Sequence, residues 1–146
     1  YGAINDELNS KGINNPTIRD VSNAVIAIRE SKLPNPKEIG NAGSFFKNPV
    51  IEKAQAEKLL AAYPDMPQYP DRLNPSLTKL AAGWLIEKAG FKGMRIKNYG
   101  VHSKQALVLV NYGGSKGQDI YDLSTKILDT VKEMFGVQLE REVNIL

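Results

Sequence analysis

The stretch that decides the fold is QALVLVNYGG, residues 105–114. Aliphatic and β-branched residues fill this run, and such residues are enriched in β-strands. The glycine pair at 113 and 114 then ends the run with a turn. This pattern predicts a central strand of a sheet.

The residues after this strand predict a long amphipathic helix, because apolar side chains recur at helical spacing and form one stripe. The stripe consists of Ile120, Leu123, Ile127, Val131 and Met134. The last ten residues, 137–146, instead alternate between apolar and polar side chains. That alternation is typical of a strand with one buried face.

Three more helices are predicted in the first 90 residues. The first lies within Pro16–Lys32 and the second runs from about Glu52 to Ala62. The third begins at Ser76 or Thr78, and Gly90 is placed to end it. The apolar stripe of the first helix consists of Ile18, Val21, Val25 and Ile28.

Proline marks the segments between these helices. Leu33–Pro36 is expected to be extended, because each proline fixes its own φ and keeps the preceding residue out of the helical region. Tyr63–Ser76 contains four prolines and is predicted to be an irregular surface loop. The whole pattern favours an α+β fold, a small mostly antiparallel sheet with helices packed on one face.

Composition excludes several classes of function. A chain of 146 residues suits one domain. The absence of cysteine and the single histidine, His102, argue against disulfides and protein-built zinc sites. The net charge of +3 comes from mixed charges, so we expect no nucleic-acid partner. No apolar run reaches the roughly 20 residues of a membrane span, so we expect no membrane partner and a cytoplasmic location.

The segment GNAGSFFKNPVI, residues 40–51, is the strongest candidate for a functional site. Its glycines would allow a ligand to approach the backbone, and Ser44, Lys47 and Asn48 offer three polar side chains. From these residues alone a structural turn is as well supported as a ligand site. For Glu142 and His102 a structural role is favoured, since Glu142 lies on the polar face of an alternating segment.

Three segments resemble a known family in order and spacing. GNAGSFFKNPVI (40–51), LAAGWLIEKAGFKGMRIKNYGVHSKQALVLVN (80–111) and LEREVNIL (139–146) are similar to the third, C-terminal domain of UDP-N-acetylenolpyruvoylglucosamine reductase. YGAI at residues 1–4 and SKLPNP at residues 31–36 also look like segments of that family. The resemblance therefore extends over nearly the whole chain.

The resemblance implies an NADPH- and FAD-dependent reductase that converts UDP-N-acetylglucosamine enolpyruvate to UDP-N-acetylmuramate in peptidoglycan synthesis. It implies that residues 1–146 are the substrate-binding domain and that FAD is bound by domains absent from this chain. Ser44 corresponds to the family's proton donor, and Glu142 to the glutamate that stabilises the intermediate. The implied substrate ligands are Tyr1, Lys32, Asn48, Tyr69 and Gln105.

Two other interpretations remain open at this point. The chain could be a stand-alone nucleotide-sugar binding module without redox activity, or a structural α+β domain without a ligand. The presence of both Ser44 and Glu142 favours the reductase, because a module that only binds needs neither residue.

Overall fold

The computed structural model describes residues 2–32 and 37–143. In this part of the chain the helices are α1 (Gly2–Ser10), α2 (Ile18–Lys32), α3 (Lys53–Ala62), α4 (Ala82–Lys88) and α5 (Gly117–Phe135). The strands are β1 (Gly40–Ser44), β2 (Val50–Glu52), β3 (Gln68–Pro70), β4 (Leu77–Leu80), β5 (Arg95–Ile96), β6 (Tyr99–Val101) and β7 (Val108–Asn111).

The strands form two antiparallel sheets, with the orders β1-β7-β6-β5 and β2-β4-β3. The predicted central strand is β7, which lies inside the larger sheet, and Val108, Leu109 and Val110 are buried. The α+β class is confirmed, although the strands are divided between two sheets. No helix among the described residues is long and apolar enough to span a membrane.

Helix α5 covers β6 and β7 and supplies much of the core, as its periodicity predicts. Leu123, Ile127 and Val131 are buried against the sheet. At the N-terminus of α5 the carboxylate of Asp119 accepts the N–H of Lys116 at 2.9 Å, which satisfies a donor that the helix leaves unpaired. The helix ends at Gly136, whose φ of 68° is left-handed.

The predicted third helix is wrong in its first turn, because Leu77–Leu80 is strand β4. This strand lies between β2 and β3, so its backbone pairs on both sides, and Thr78 and Leu80 are buried. Backbone pairing with both β2 and β3 outweighs the local helical pattern. Helix α4 therefore begins only at Ala82.

The proline-rich segment 63–76 is not irregular throughout, because it contains β3. This strand pairs only with β4 and so lies at the edge of its sheet, where proline is tolerated. The prediction of a final strand is also only partly right. Among the described residues 137–143, one isolated bridge joins Arg141 to Phe46, while Val137 and Leu139 are buried.

The first two helices form a hairpin with a small core of its own. Leu8 of α1 and Ala24 of α2 are buried, and α1 itself was not predicted. The predicted stripe of α2 is only partly buried, since Val25 and Ile28 are half-buried whereas Ile18 is 91% exposed and Val21 is 37% exposed. None of the described residues of α1 and α2 belongs to the main hydrophobic cluster.

Candidate functional site

Ser44 is placed by an irregularity at the end of β1. The pairing with β7 shifts register between Asn41 and Ser44, and Gly43 in between has a φ of 76°. The side chain of Asn41 stabilises this turn, because its amide oxygen accepts the N–H of Gly43 at 3.0 Å. The result is an exposed Ser44 directly before the buried Phe45.

The two phenylalanines after Ser44 anchor the segment in the core. The rings of Phe45 and Phe46 are buried and 5.4 Å apart between centroids. The backbone N–H of Phe45 donates to the carbonyl oxygen of Leu107 at 2.7 Å. The backbone next to Ser44 is thus fixed. Among the described residues the hydroxyl of Ser44 has no hydrogen-bond partner, so this side chain is available to a ligand.

Glu142 lies beside this segment. Its backbone N–H donates to the carbonyl oxygen of Phe45 at 2.8 Å, and the N–H of Lys47 donates to the carbonyl oxygen of Glu140 at 2.9 Å. Residues 140–142 thus run antiparallel to residues 45–47. The side chain of Glu142 is exposed. The structure therefore brings the two predicted catalytic residues, Ser44 and Glu142, to neighbouring positions.

Asn48 has a structural contact that the sequence does not reveal. Its amide oxygen accepts the backbone N–H of Ala82 at 3.0 Å. Ala82 is the first residue of α4, and Ala81 before it has no side chain that could cap the helix. Asn48 therefore caps α4 from another segment, and its amide N–H₂ group remains available as a donor.

Gln105 lies in the turn between β6 and β7, and His102 organises that turn. The Nδ1 atom of His102 accepts the N–H groups of Lys104 and Gln105, both at 3.2 Å. Burial lowers the pKa of His102, and the positive charge of Lys104 lowers it further. His102 thus has the structural role that its sequence context favours. The turn also holds Gln105 close to Leu107, the backbone partner of Phe45.

Tyr69 lies on the three-stranded sheet, in a row of exposed side chains. It pairs directly with Lys79, which pairs with Val50 on the other side. Residues that face each other across antiparallel strands share one face of the sheet. Tyr69 is 56% exposed on this face. The short link from Asn48 to Val50 joins this row to the Ser44 segment.

Only one of the other two predicted ligands lies within the described residues. Lys32 is the exposed last residue of α2, and Tyr1 lies outside the described residues. The described residues therefore bring together Ser44, Glu142 and Gln105 near one end of the larger sheet, where β1 ends and β7 begins. Asn48 connects that end to Tyr69.

A cavity of about 390 Å³ lies next to these residues, but none of the predicted site residues lines it. Its walls are largely apolar and include Ala42, Phe45 and Ile120. The two asparagines in its wall, Asn41 and Asn111, bond to nearby backbone groups. The cavity therefore offers few free polar groups to a polar ligand.

Sequence reasoning missed a cluster around Arg141. This side chain contacts Tyr121, Ser124 and Thr125 on α5. One sequence signal was present, because the spacing places Ser124 on the apolar side of α5. In the structure Ser124 is completely buried. A buried hydroxyl needs a partner, although nothing local identifies that partner as an arginine.

The fold and these strand-end side chains define a small α+β domain that presents polar groups along the edges of two sheets. Residues 35–146 match the family model described as UDP-N-acetylenolpyruvoylglucosamine reductase, C-terminal domain. The chain belongs to this family.

Several curated relatives agree. The chain is 53% identical over 146 residues to UDP-N-acetylenolpyruvoylglucosamine reductase of Flavobacterium johnsoniae, covering 100% of this chain and 43% of that protein. The enzyme of Chromobacterium violaceum is also 53% identical over 146 residues, covering 100% of this chain and 42% of that protein. The enzyme of Pseudomonas aeruginosa is 50% identical over 145 residues, covering 99% of this chain and 42% of that protein.

One solved structure, UDP-N-acetylenolpyruvylglucosamine reductase from Thermus caldophilus, has a TM-score of 0.48 and 25% sequence identity. It covers 86% of this chain and 34% of that chain. The chain thus spans less than half the length of the proteins it matches.

Proposed function

We propose that this chain is the substrate-binding and proton-donating domain of an oxidoreductase that converts UDP-N-acetylglucosamine enolpyruvate to UDP-N-acetylmuramate in peptidoglycan synthesis. The full-length enzyme is proposed to be cytoplasmic and to use NADPH and FAD. One observation carries the proposal: in a member of this family, Ser44 and Glu142 lie on neighbouring segments joined by the Glu142–Phe45 hydrogen bond.

Ser44 would donate the proton that completes the reduction. Hydride addition to the enolpyruvyl double bond, at the carbon β to the carboxylate, leaves negative charge on the neighbouring carbon and on that carboxylate. This enolate-like species is strongly basic, so a weakly acidic hydroxyl suffices if it is well placed. The turn at Gly43 and the buried Phe45 support this proposed role, because they fix the backbone on both sides of Ser44.

Glu142 would contribute to stabilising the intermediate, but it requires a cation. A lone carboxylate next to a developing enolate would be repulsive. We propose that an arginine from a preceding domain of the full-length enzyme provides the compensating charge. Complete catalysis would then depend on closure of this domain over the substrate.

The substrate would be held by groups distributed over both sheets and α2. Lys32 would pair with the diphosphate as a point charge, and the free N–H₂ of Asn48 would donate to the sugar side. Tyr69 and Gln105 would contact the uridine, with the tyrosine ring providing a flat face. Tyr1, outside the described residues, would belong to a loop that covers the substrate.

The described residues do not fit an FAD site. The cavity of about 390 Å³ is largely apolar, and its asparagine side chains are already bonded to backbone. We therefore propose that preceding domains bind FAD and that this chain contributes only to substrate binding and protonation. The purified chain should accordingly be colourless, and a stoichiometric flavin absorbance after gel filtration would overturn this division of roles.

The proposed activity is tested by NADPH oxidation in the full-length protein that contains this chain. Oxidation should depend on UDP-N-acetylglucosamine enolpyruvate and yield UDP-N-acetylmuramate. The alternative is a nucleotide-sugar binding module, which would bind UDP-sugars without oxidising NADPH. Binding without turnover by the flavin-loaded full-length protein would favour that alternative.

A further inference from the structure

The side chain of Arg141 is attached to one turn of α5 by three contacts. Its Nε donates to the hydroxyl oxygen of Ser124 at 2.8 Å, and its Nη2 donates to that of Thr125 at 2.7 Å. The guanidinium also lies 4.4 Å from the ring centroid of Tyr121. A planar guanidinium suits such a combination of two directed bonds and stacking.

The two hydroxyl groups that receive Arg141 are themselves fixed. Ser124 is completely buried, and its hydroxyl donates to the carbonyl oxygen of Tyr121 at 2.6 Å. The hydroxyl of Thr125 donates to the same oxygen at 3.2 Å. Each hydroxyl hydrogen is thus used within the helix, and each oxygen is free to accept from Arg141.

Within the described part of the chain, the charge of Arg141 is not used in an ion pair. Among residues 2–32 and 37–143, no carboxylate lies within salt-bridge distance of its guanidinium. The contacts of this side chain therefore fix geometry and do not neutralise a buried charge.

The backbone around Arg141 is held from the opposite side. Arg141 bridges Phe46, and Glu142 donates to the carbonyl oxygen of Phe45 at 2.8 Å. The residue that contacts α5 with its side chain thus also joins the Ser44 segment through its backbone. Removal of the Arg141 side chain would remove the contacts of this residue with α5.

We propose that Arg141 is a positioning residue, which holds Glu142 opposite Phe45, and so next to Ser44, by fixing residues 140–142 to the turn of α5 at residues 121–125. This inference rests on the proposed function of Glu142 in the reductase. Arg141 itself does not touch the substrate in this proposal. Its effect arises because small errors in the placement of catalytic groups reduce the rate strongly.

The test compares variants of the full-length enzyme by rapid mixing. Arg141→Met removes the contacts with α5, whereas Thr125→Val removes one acceptor and leaves the charge of Arg141 in place. We expect oxidation of the reduced enzyme by the enolpyruvyl substrate to slow about tenfold in Arg141→Met and severalfold in Thr125→Val. Reduction by NADPH and the substrate dissociation constant should change less than about twofold.

Three further measurements separate positioning from other roles. The double variant should be no slower than Arg141→Met, because both changes break the same contact. Hydrogen exchange at the Glu142 amide should accelerate in both single variants, while exchange in β7 should not change. Arg141→Lys keeps the charge but not the two directed bonds, so it should restore only part of the rate.

The outcomes are distinguishable from a failure of the proposed function. If Glu142→Gln reacts at the wild-type rate, Glu142 has no catalytic role and the proposed function is wrong at this residue. If Glu142→Gln is slow but Arg141→Met is not, only the positioning role is overturned. A wild-type rate in Thr125→Val combined with full rescue by lysine would assign Arg141 a purely electrostatic role and would also overturn the positioning role.

Discussion

The backbone N–H of Glu142 donates a 2.8 Å hydrogen bond to the carbonyl oxygen of Phe45. This bond places Glu142 next to the residue that follows Ser44. Two side chains from distant parts of the chain are thereby presented from adjacent backbone segments. The relationship is the basis for assigning Ser44 and Glu142 to one site.

Ser44→Ala in the full-length enzyme should leave reduction by NADPH nearly intact and slow the oxidation of the reduced enzyme by the enolpyruvyl substrate. Loss of a positioned general acid costs on the order of a hundredfold to ten-thousandfold. Loss of one hydrogen bond in substrate binding would cost only about tenfold. Stopped-flow measurement of the two half-reactions separates these roles.

Ser44→Cys is the matched variant for this experiment. A thiol is more acidic than a hydroxyl and also donates a proton, so partial recovery relative to alanine is expected. The longer C–S bond should limit that recovery. An alanine variant that is oxidised within a fewfold of the wild-type rate would reduce Ser44 to a turn residue.

Asn48→Ala should destabilise the isolated chain by about 0.5–2 kcal/mol, because α4 loses the acceptor for the N–H of Ala82. Asn48→Asp retains an acceptor and places negative charge at a helix N-terminus, so its stability should stay close to wild type. The aspartate lacks the N–H₂ donors, however, and should bind substrate less tightly. Urea unfolding together with ligand titration checks both parts.

These two Asn48 variants separate capping from ligand binding. Equal stability of the alanine variant and the wild type would exclude a capping role. Unchanged substrate affinity of Asn48→Asp in the full-length enzyme would remove Asn48 from the proposed ligands.

UDP-N-acetylglucosamine should bind weakly to the isolated chain, with a dissociation constant of roughly 1 mM, since the covering domains are lacking. Affinity should fall as salt is added, because the proposed contact between Lys32 and the ligand's diphosphate is electrostatic. An NMR titration should shift resonances of Lys32, Asn48, Tyr69 and Gln105. Lys32→Ala should weaken the salt dependence, whereas Lys126→Ala on α5 is the control and should not. If UDP-N-acetylglucosamine at several times the expected dissociation constant shifts no resonance of the four proposed ligands, the ligand assignment is refuted.

The turn at His102 should make stability depend on pH. Burial and Lys104 lower the pKa of His102 in the folded chain below its ordinary value of 6.5. His102 therefore binds a proton more tightly in the unfolded chain than in the folded chain. The contribution of neutral His102 to the free energy of unfolding is fully present above pH 6.5 and is lost as the pH falls through the lowered pKa.

His102→Asn is the informative variant for this pH dependence. An asparagine oxygen can accept the same backbone N–H groups without titrating in this range. Denaturant unfolding between pH 5 and pH 8 should therefore give a flatter profile than the wild type. An identical profile in both proteins would show that His102 does not control it.

The sequence predicted the elements whose local pattern agrees with their tertiary environment. Strand β7 is rich in β-branched residues and lies inside a sheet, and α5 has one continuous apolar stripe against that sheet. In contrast, Leu77–Leu80 continues the pattern of the following helix but pairs with a strand on each side, β2 and β3. No local signal reports that pairing.

The candidate site was predictable only in part for the same reason. The segment around Ser44 stands out by its composition, and its resemblance to the family identified Glu142. The contacts of Asn48 with Ala82 and of Arg141 with Ser124 join residues 34 and 17 positions apart in the chain. Such contacts depend on how the elements pack, which spacing along the chain does not report.

The separate core of α1 and α2 determines where the protein can be shortened. Every side chain of the main hydrophobic cluster lies between Phe45 and Val143, so expression from residue 37 onward should leave that cluster intact. The shortened protein would lack Lys32 and Tyr1 but retain Ser44, Asn48 and Glu142. We therefore expect the folding unit to be smaller than the proposed binding unit, since α2 carries the proposed ligand Lys32 but none of its described residues belongs to the main cluster.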